Sequence, residues 1–459
     1  MRLKAFIDSH LHALGLGYYQ DIINLNSVTS IENIINLLKQ SEKVVIVARG
    51  FNQDNLIEKR MPLKQDLDEI SKPVAIFRIC GHIAVINQAM IDSIGTHKLS
   101  YQVFGGSFNL ETGLFTEKAL SLISEVIPKP TKDDLKRYLI KANDILLENG
   151  ITKVASDDFS SFDIDYEIII EAINEVIDEG KIDISITEQV NLPLNKFKDF
   201  IKKGYVNKKY RNFKMGPLKI LADGSLGGRT ASLNEAYSDD PSNFGILTFS
   251  DNELSELIDL AFNNDMDVVV HAIGDKACDQ AIKIISSLND KYDRKSPNKA
   301  IIHAQILNKR QIDLLRINHI NAIVQPIFIN TDIKIISDRI GNRDKESYLF
   351  KTMSENINLG FSTDSPVETV NPFHNIYCAV TRKSIDFPEY QPFNLDEAFS
   401  LSDALKAYTD NNLGFVYEKE SFDYIEIDKD IYNLDLEELK DVKVLKTFID
   451  KKIVYERKK

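Results

Sequence analysis

The sequence predicts an α/β fold, a (β/α)8 barrel of the TIM type with an insertion after its first strand and a reduced small β domain. Short β-branched runs alternate with longer amphipathic stretches through most of the 459 residues. Such alternation with short links indicates repeated βαβ units and a parallel sheet. Because eight of the runs are typical of buried strands, a closed barrel is expected, although an open doubly wound sheet would produce a similar pattern.

The predicted barrel strands are separated by helical patterns. The eight strands occupy residues 5–10, 150–156, 182–188, 218–223, 267–272, 300–304, 321–326 and 357–364. Between them lie stretches such as 132–150 and 251–266, whose apolar residues recur three and four positions apart, as on one face of a helix. Gly150 follows the first of these stretches as a helix-stop signal.

Two parts of the chain do not fit the barrel repeat. The strand-like runs 43–51 and 72–82 fall between the first and second predicted barrel strands. We therefore expect residues 15–130 to form an inserted subdomain over the barrel mouth, within a barrel domain of residues 1–405. After that the helix–strand rhythm stops, and short β-like runs predict a small C-terminal β segment at 406–459.

The charge balance argues against nucleic acid as a partner. Acidic residues outnumber basic ones by 69 to 56, for a net charge of −13, whereas phosphate binding needs a basic surface. No apolar run approaches the ~20 residues that span a bilayer, and the opening "MRLKAFIDSH" lacks the apolar core of a signal peptide. The three cysteines form no CxxC pair. We expect a cytoplasmic protein with neither a nucleic-acid nor a membrane partner.

The stretch "FIDSHLH" places His10 and His12 two residues apart at the end of the first predicted strand. In a strand these two side chains point to the same face, and at the C-terminal end of a barrel strand that face looks into the mouth. Two neighbouring imidazoles repel if both are charged but can share a bound cation. Taken alone, the pair is equally compatible with surface or capping histidines.

Three further polar residues end other predicted strands in the same way. His271 closes "DVVVHA", His303 closes "AIIHA" and Asp364 closes "LGFSTD". Separate strands of a barrel would deliver these side chains to one rim, together with the first pair. Because imidazole and carboxylate are common metal ligands, the pattern predicts a metal site at the barrel mouth.

Lys219 lies within the otherwise apolar strand "LKILAD". A buried lysine costs free energy unless it is paired or neutralised. One solution is reaction with carbon dioxide to form a carbamate, a carboxylate that can bridge two metal ions. Snorkelling to a helix end and pairing with Asp223 are the alternatives that the residues leave open.

Two residues are candidates for holding a substrate carbonyl or an acidic group. His82 follows a strand-like run and a glycine in the insertion, and Arg229 lies in the Gly-rich loop 223–230. That loop lacks the lysine and serine of a P-loop, but its glycines would permit close backbone approach to a ligand. Arg229 could equally pair with Glu235 or Asp239.

These residues together resemble the amidohydrolase superfamily, and within it the YtcJ-like branch (amidohydrolase family 3). The resemblance covers most of the chain and implies a metal-dependent hydrolase that cleaves a C–N bond, such as an amide or carbamate, of a small molecule. The segments that carry it are "FIDSHLH", "ARGFNQ", "RICGHIAVINQAMI", "LKILADGSLGGRTASLNEAYSD", "VVVHAIGDKA", "IIHAQIL", "VQPIF" and "STDSPVETVNPF".

The resemblance implies two divalent metal ions, with zinc as the expected metal. In this reading His10 and His12 bind one ion together with Asp364. The remaining ligands, His271 and His303, bind the second, and a carboxylated Lys219 bridges the two. Metal binding lowers the pKa of a held water towards about 7, and Asp364 acts as general base. In a one-ion version Lys219 is unmodified, His271 binds the metal and His303 orients the water or the substrate.

The chain departs from the family pattern at its small domain. Members usually have a further β segment before the HxH strand, whereas this chain starts almost at that strand, and its C-terminal segment is shortened. The reduced domain leaves a homodimer open. It also motivates the alternative of a non-catalytic ligand-binding relative of the amidohydrolases. A serine hydrolase is disfavoured because the sequence contains no G-x-S-x-G elbow.

Overall fold

The structure is a computed structural model that describes residues 1–95, 97–100, 103–289, 291–292, 297–410, 413–416 and 422–458. Parts of the predicted C-terminal segment, at 411–412, 417–421 and 459, lie outside the described residues. Within the described residues the strands form three sheets: a parallel barrel sheet, a mixed six-stranded sheet and a four-stranded antiparallel sheet.

Eight parallel strands follow one another around the barrel in chain order. They are Phe6–Leu11, Ile151–Ser156, Ser185–Val190, Phe213–Leu221, Val268–Ala272, Lys299–His303, Ile320–Val324 and Leu359–Phe361. Each overlaps a predicted run, and nearly all of their side chains are buried, as expected for strands covered by a core inside and helices outside. The predicted fold class is confirmed. A short strand, Lys209–Tyr210, pairs antiparallel with the fourth barrel strand.

Hydrogen bonds from the residues just after the eighth strand to the first strand close the barrel. The backbone N–H of Asp364 donates to the carbonyl oxygen of His10 at 3.0 Å. The buried carboxylate of Asp8 accepts from the hydroxyl of Thr363 at 2.7 Å and from its backbone N–H at 3.1 Å. This closure excludes the open doubly wound sheet and sets His10 beside Asp364.

The fourth barrel strand begins earlier than predicted, at Phe213 rather than 218. Gly216 and Pro217 are typical of a strand end, because proline cannot donate to the ladder. The structure accommodates them at a register shift between Glu188 and Val190 of the neighbouring strand. The ladder is interrupted at that bulge, so the missing N–H of proline costs no paired hydrogen bond.

The helices around the barrel begin and end at capping residues. In Lys132–Glu148 the hydroxyl of Thr131 accepts from the N–H of Asp134, and Gly150 beyond it takes φ +76°. The other α-helices are Ala13–Tyr19, Ile31–Lys39, Lys64–Leu67, Gln88–Ile94, Leu120–Ser124, Tyr166–Asp178, Leu194–Lys202, Asp251–Phe262, Asp275–Leu288, Lys309–Ile317, Ile329–Asp332, Ile336–Ile340, Phe350–Ser354, Pro372–Thr381 and Leu401–Thr409. Short 3-10 helices are Lys98–Ser100, Pro326–Phe328, Gly341–Glu346, Leu395–Glu397 and Leu436–Asp441. Among the described residues, no helix combines the length and apolarity needed to cross a membrane.

The region of the predicted insertion contains a six-stranded sheet with its own core. In sheet order its strands are Ile23–Asn24, Ile46–Phe51, Val74–Arg78, Ile83–Ile86, Leu114–Glu117 and Gly106–Asn109. The first three pair in parallel and the others antiparallel. Because alternate strand residues face opposite sides, Ile76 and Ala75 belong to separate apolar clusters.

The Gly-rich loop that follows the fourth barrel strand packs against this six-stranded sheet. Cβ atoms built on its three glycines would all collide with side chains of the insertion. A Cβ on Gly224 would come within 2.1 Å of Glu117 Oε1, one on Gly227 within 2.5 Å of Arg78 Nη2 and one on Gly228 within 2.6 Å of Ile83 Cδ1. The close approach that we expected for a ligand is therefore made by the insertion, which these contacts hold against the barrel.

The small β domain is a single antiparallel sheet. Its strands are Arg2–Lys4, Tyr424–Ile427, Val444–Ile449 and Lys452–Glu456 in sheet order. One face packs on the barrel, where Thr447 Oγ1 donates to the carbonyl oxygen of Leu147 at 2.6 Å. A row of charged side chains with ion pairs of 2.8 Å crosses the sheet, formed by Arg2 with Glu426 and Lys446 with Glu456. This charged row is compatible with contact to water.

Candidate metal centre

His10, His12 and Asp364 meet at the C-terminal mouth of the barrel. His10 lies near the end of the first strand, His12 directly follows that strand, and Asp364 lies just after the eighth. The carboxylate Oδ1 of Asp364 lies 3.2 Å from Nε2 of His10 and 3.3 Å from Nε2 of His12. One ligand atom from each residue lies within 4.8 Å of the others, as a shared metal ion requires. The side chains of His10 and Asp364 are buried, and that of His12 is 26% exposed.

Hydrogen bonds on the far side of both histidine rings set their tautomers. Nδ1 of His12 donates to the carbonyl oxygen of Asp157 at 2.9 Å, because a carbonyl can only accept. Nδ1 of His10 donates to Oε1 of Gln189 at 2.6 Å, and the Gln189 amide is oriented by its own donation to Ser9 O at 3.1 Å. Both rings therefore turn Nε2 towards the centre, as metal-binding imidazoles do. The donor set fits a divalent cation.

His271 and His303 are adjacent, with ring centroids 4.4 Å apart. Nδ1 of His303 lies 2.8 Å from Oε1 of Gln325, whose amide donates to Ser362 Oγ at 2.6 Å. Nε2 of His271 donates to the carbonyl oxygen of Gly224 at 3.2 Å. Each ring thus keeps one nitrogen, Nε2 of His303 and Nδ1 of His271, free to bind a cation.

The first predicted group of ligands, His10, His12 and Asp364, is close enough to share a metal ion, whereas the second, His271 and His303, only borders it. The His303 ring lies 5.8 Å from the His10 ring, so the second pair borders the first. In the part of the chain that the structure describes, His10, His12 and Asp364 form the one cluster with ligand atoms at metal-sharing distance. The second metal position stays a prediction.

Lys219 faces the same centre and is 2% exposed. Its Nζ lies 3.3 Å from Nε2 of His10. The alternative partner, Asp223, instead accepts from the backbone N–H groups of Ile273 at 3.0 Å and Gly274 at 2.8 Å. Burial also excludes snorkelling. Burial lowers the pKa of Lys219, which favours the neutral amine, the form that reacts with carbon dioxide.

The electrostatics of the centre favour neutral imidazole at His10 and His303 beside an ionised carboxylate. Burial lowers the pKa of His10 to about 4 and that of His303 well below its ordinary value. Burial would also lower the pKa of His12, but the hydrogen bond with Asp364 and the charges of Asp157 and Asp364 outweigh it and raise that pKa. Burial alone would raise the pKa of Asp364, but its interactions with His10 and His12 outweigh burial and hold that pKa well below its usual range. Neutral imidazole and carboxylate are the forms that bind metal ions.

The two predicted substrate-binding residues have different surroundings. His82 reaches the mouth from the insertion, with its ring centroid 5.1 Å from that of His271. Arg229 instead forms two hydrogen bonds with Asp239, from Nε at 3.1 Å and from Nη2 at 2.8 Å. Pairing with Asp239 was one of the two alternatives for Arg229. A substrate contact by either residue stays a prediction.

Four residues of the site were missed from the sequence. Gln189 and Gln325 orient two histidines, Asp157 supplies the carbonyl that holds His12, and Glu117 contacts His82. The signal for the glutamines was available, because each is a polar residue at or near the end of an apolar strand, as Lys219 is. Nothing in the sequence indicated Glu117, which approaches the centre only through the packing of the insertion.

We expect Gln189→Leu to weaken Zn²⁺ binding by about 10- to 100-fold, because His10 would lose the acceptor that holds its Nδ1 proton. The affinity is measured by competition with a chromophoric chelator. Gln65→Leu, at an exposed position of the insertion, is the control. Unchanged affinity in the Gln189 variant would remove this residue from the metal centre.

The closed barrel, with imidazoles and a carboxylate at the C-terminal ends of its strands, defines the protein as a (β/α)8-barrel protein with a candidate metal site at its mouth. Residues 5–455 match the model of the Amidohydrolase family, and the chain belongs to that family. It is a YtcJ-like member of amidohydrolase family 3, being 30% identical to the YtcJ protein of Bacillus subtilis (strain 168) over 98% of this chain and 88% of that protein.

Two other proteins are informative. The chain is similar to a solved structure from Pyrococcus horikoshii OT3, described as an uncharacterized metal-dependent hydrolase. The TM-score is 0.70 and the identity 31%, with 89% of this chain and 80% of that chain covered. It is also 19% identical to the N-substituted formamide deformylase of Arthrobacter pascens, over 99% of this chain and 88% of that protein.

Proposed function

We propose that this hydrolase is metal-dependent and cleaves a C–N bond, in an amide, carbamate or similar group, of a small molecule. The observation that carries the proposal is the meeting of His10, His12 and Asp364 at the barrel mouth with ring nitrogens turned towards one point. Two similar proteins support it by their descriptions, one as a metal-dependent hydrolase and the other as a formamide deformylase.

His10, His12 and Asp364 would hold one divalent ion, with zinc as the expected metal. His271 and His303 would hold a second ion, and Lys219, if carboxylated, would bridge the two. A bound divalent ion supplies Lewis acidity, which lowers the pKa of water and polarises a carbonyl. The neutral form of His10 and His303 and the ionised form of Asp364 are consistent with these roles.

Asp364 is the general base in this proposal. Its carboxylate accepts a proton from the attacking water as the new C–O bond forms at the carbonyl carbon. The C–N bond then breaks, and the same carboxylate delivers the proton to the departing nitrogen. The products are a carboxylic or carbamic acid and an amine, so the added water is fully accounted for.

The substrate contacts are proposed for the insertion side of the mouth. His82 is the candidate for holding the substrate carbonyl, because it reaches the centre and lies beside His271. Arg229 would need to exchange its bonds with Asp239 for a substrate group. The loops around the barrel mouth determine which substrate is accepted, because barrel enzymes with different substrates differ in these loops.

The experiment that tests the function combines elemental analysis with turnover. Purified protein is reconstituted with Zn²⁺ or Mn²⁺, its metal content per chain is measured by mass spectrometry, and hydrolysis of N-benzylformamide, acetanilides and aryl carbamates is followed. We expect at least one metal per chain and turnover that a chelator abolishes. As a control, His319→Ala, at an exposed histidine, should keep the metal content and the turnover of the parent. Failure to bind either metal would overturn the proposal and favour a non-catalytic ligand-binding relative.

A further inference from the structure

His82 and Glu117 form a hydrogen-bonded pair at the edge of the six-stranded sheet. His82 directly precedes the strand Ile83–Ile86, and Glu117 ends the strand Leu114–Glu117. Nδ1 of His82 donates to Oε2 of Glu117 at 2.7 Å, and the backbone N–H of Glu117 donates to the carbonyl oxygen of His82 at 3.0 Å. Two contacts therefore fix the histidine relative to the carboxylate.

The pair is directed at the metal centre. The His82 ring lies 5.1 Å from the His271 ring, and its side chain is 18% exposed, whereas that of Glu117 is 4% exposed. Because Glu117 occupies Nδ1, the ring nitrogen left for another partner is Nε2, on the edge of the ring away from Glu117. The histidine is thus the accessible member of the pair and the carboxylate is its buried support.

Glu117 is held in place by the barrel. Its backbone takes φ +49°, in the left-handed region that non-glycine residues rarely adopt. Oε1 lies against Gly224, where a Cβ would come within 2.1 Å. That oxygen is buried and has no hydrogen-bond partner among the described residues, so the hydrogen bond to His82 is the only one that the carboxylate makes there.

Resting on the proposed function, we propose that His82 is a catalytic residue, whose Nε2–H donates to the carbonyl oxygen of the scissile bond, and that Glu117 is its positioning residue. Negative charge builds on this oxygen while water attacks the carbonyl carbon. A donor that is already oriented stabilises this charge without reorganisation. Both ring nitrogens carry a proton in this role, so His82 acts as the imidazolium. The buried Glu117 carboxylate, 2.7 Å from Nδ1, stabilises that charge and holds the Nδ1 proton in place. No proton is transferred by His82, because Asp364 carries the proton from water to the departing nitrogen.

Kinetics of matched variants test the catalytic role. We expect His82→Leu to lower kcat about 100-fold with KM within about threefold, as for loss of one oxyanion donor. His82→Gln retains an N–H donor and should recover part of that loss. Glu117→Gln should lower kcat about tenfold, because it removes the charge that orients the donor. Glu125→Gln, at an exposed carboxylate of the same insertion that pairs with Lys98, is the control.

A second measurement does not depend on turnover. In metal-free protein labelled with 15N-histidine, the His82 signals are identified by their loss in His82→Gln. We expect them to show a protonated Nδ1 that shifts in Glu117→Gln but not in Glu125→Gln. Methylphosphonate, whose oxygens resemble those of the attacked carbonyl, should perturb His82 Nε2 in the parent protein.

The outcomes separate this proposal from the proposed function. Folded, metal-loaded His82→Leu with kcat within threefold of the parent would overturn the role of His82. If the parent binds no metal and turns over no amide, the proposed function fails. The histidine signals then decide the pair alone: an unprotonated Nδ1, or no response of Nε2 to methylphosphonate, would overturn it.

Discussion

Asp364→Asn is expected to lower kcat by about 1,000-fold or more while leaving the fold intact, because an amide cannot accept the proton of the attacking water. Asparagine has nearly the same shape and tolerates the left-handed backbone, φ +56°, that Asp364 adopts. The loss of a negative ligand should also weaken metal binding at His10 and His12. The measurements are kcat at saturating amide and metal content by elemental analysis.

The control for this variant is Asp163→Asn, at an exposed aspartate that pairs with Lys129 at 2.7 Å. It should keep the activity and the metal content of the parent. A kcat of Asp364→Asn within tenfold of the parent, with metal bound, would show that another group accepts the proton. The assignment of Asp364 as general base would then be wrong, although its place beside the two histidines would stand.

Lys219→Met is expected to lower the metal content from two ions per chain to one and kcat by about 1,000-fold, because the loss of one ion removes several kcal/mol of charge stabilisation. Methionine suits the apolar strand, so the metal-free variant should be at least as stable as the parent in urea unfolding. Lys219→Glu, which restores a carboxylate at the bridging position, should regain part of the metal content and of the activity.

The number of metal ions bound per chain decides between the two-ion and the one-ion version of the site. If the parent binds one ion per chain and Lys219→Met binds the same, Lys219 is not carboxylated and does not bridge. The one-ion version then holds, with His303 orienting the water or the substrate. Mass spectrometry of the intact parent in the presence of bicarbonate checks the carbamate directly.

Much of the candidate metal centre could be predicted from short stretches of sequence. His10 and His12 share a face because the period of a strand is two, whatever surrounds it. His271, His303 and Asp364 were predicted to lie nearby because all strands of a parallel barrel end at the same rim. Lys219 was noticed because a charged residue in an apolar strand needs a physical explanation. The structure brings all six side chains to one mouth.

The contacts of the insertion could not be predicted in the same way. The glycines at 224, 227 and 228 were predicted to permit the close approach of a ligand, and in the structure Glu117, Arg78 and Ile83 of the six-stranded sheet approach them. A glycine indicates that another group approaches the backbone closely, but the sequence does not show whether that group is a ligand or another part of the chain. Arg229 raised the same difficulty, because only the folded chain selects Asp239 over Glu235 as its partner.

The sequence by itself determined the barrel, the order of its strands and the residues that end them, because these depend on local periodicity and on rules of chain connection. The tertiary structure alone decided which ring nitrogen each histidine presents, what Lys219 faces and which carboxylate supports His82. Those features depend on contacts between segments far apart in the chain, such as Gln189 with His10 and Glu117 with Gly224. Such contacts follow from packing and leave no periodic pattern along the chain.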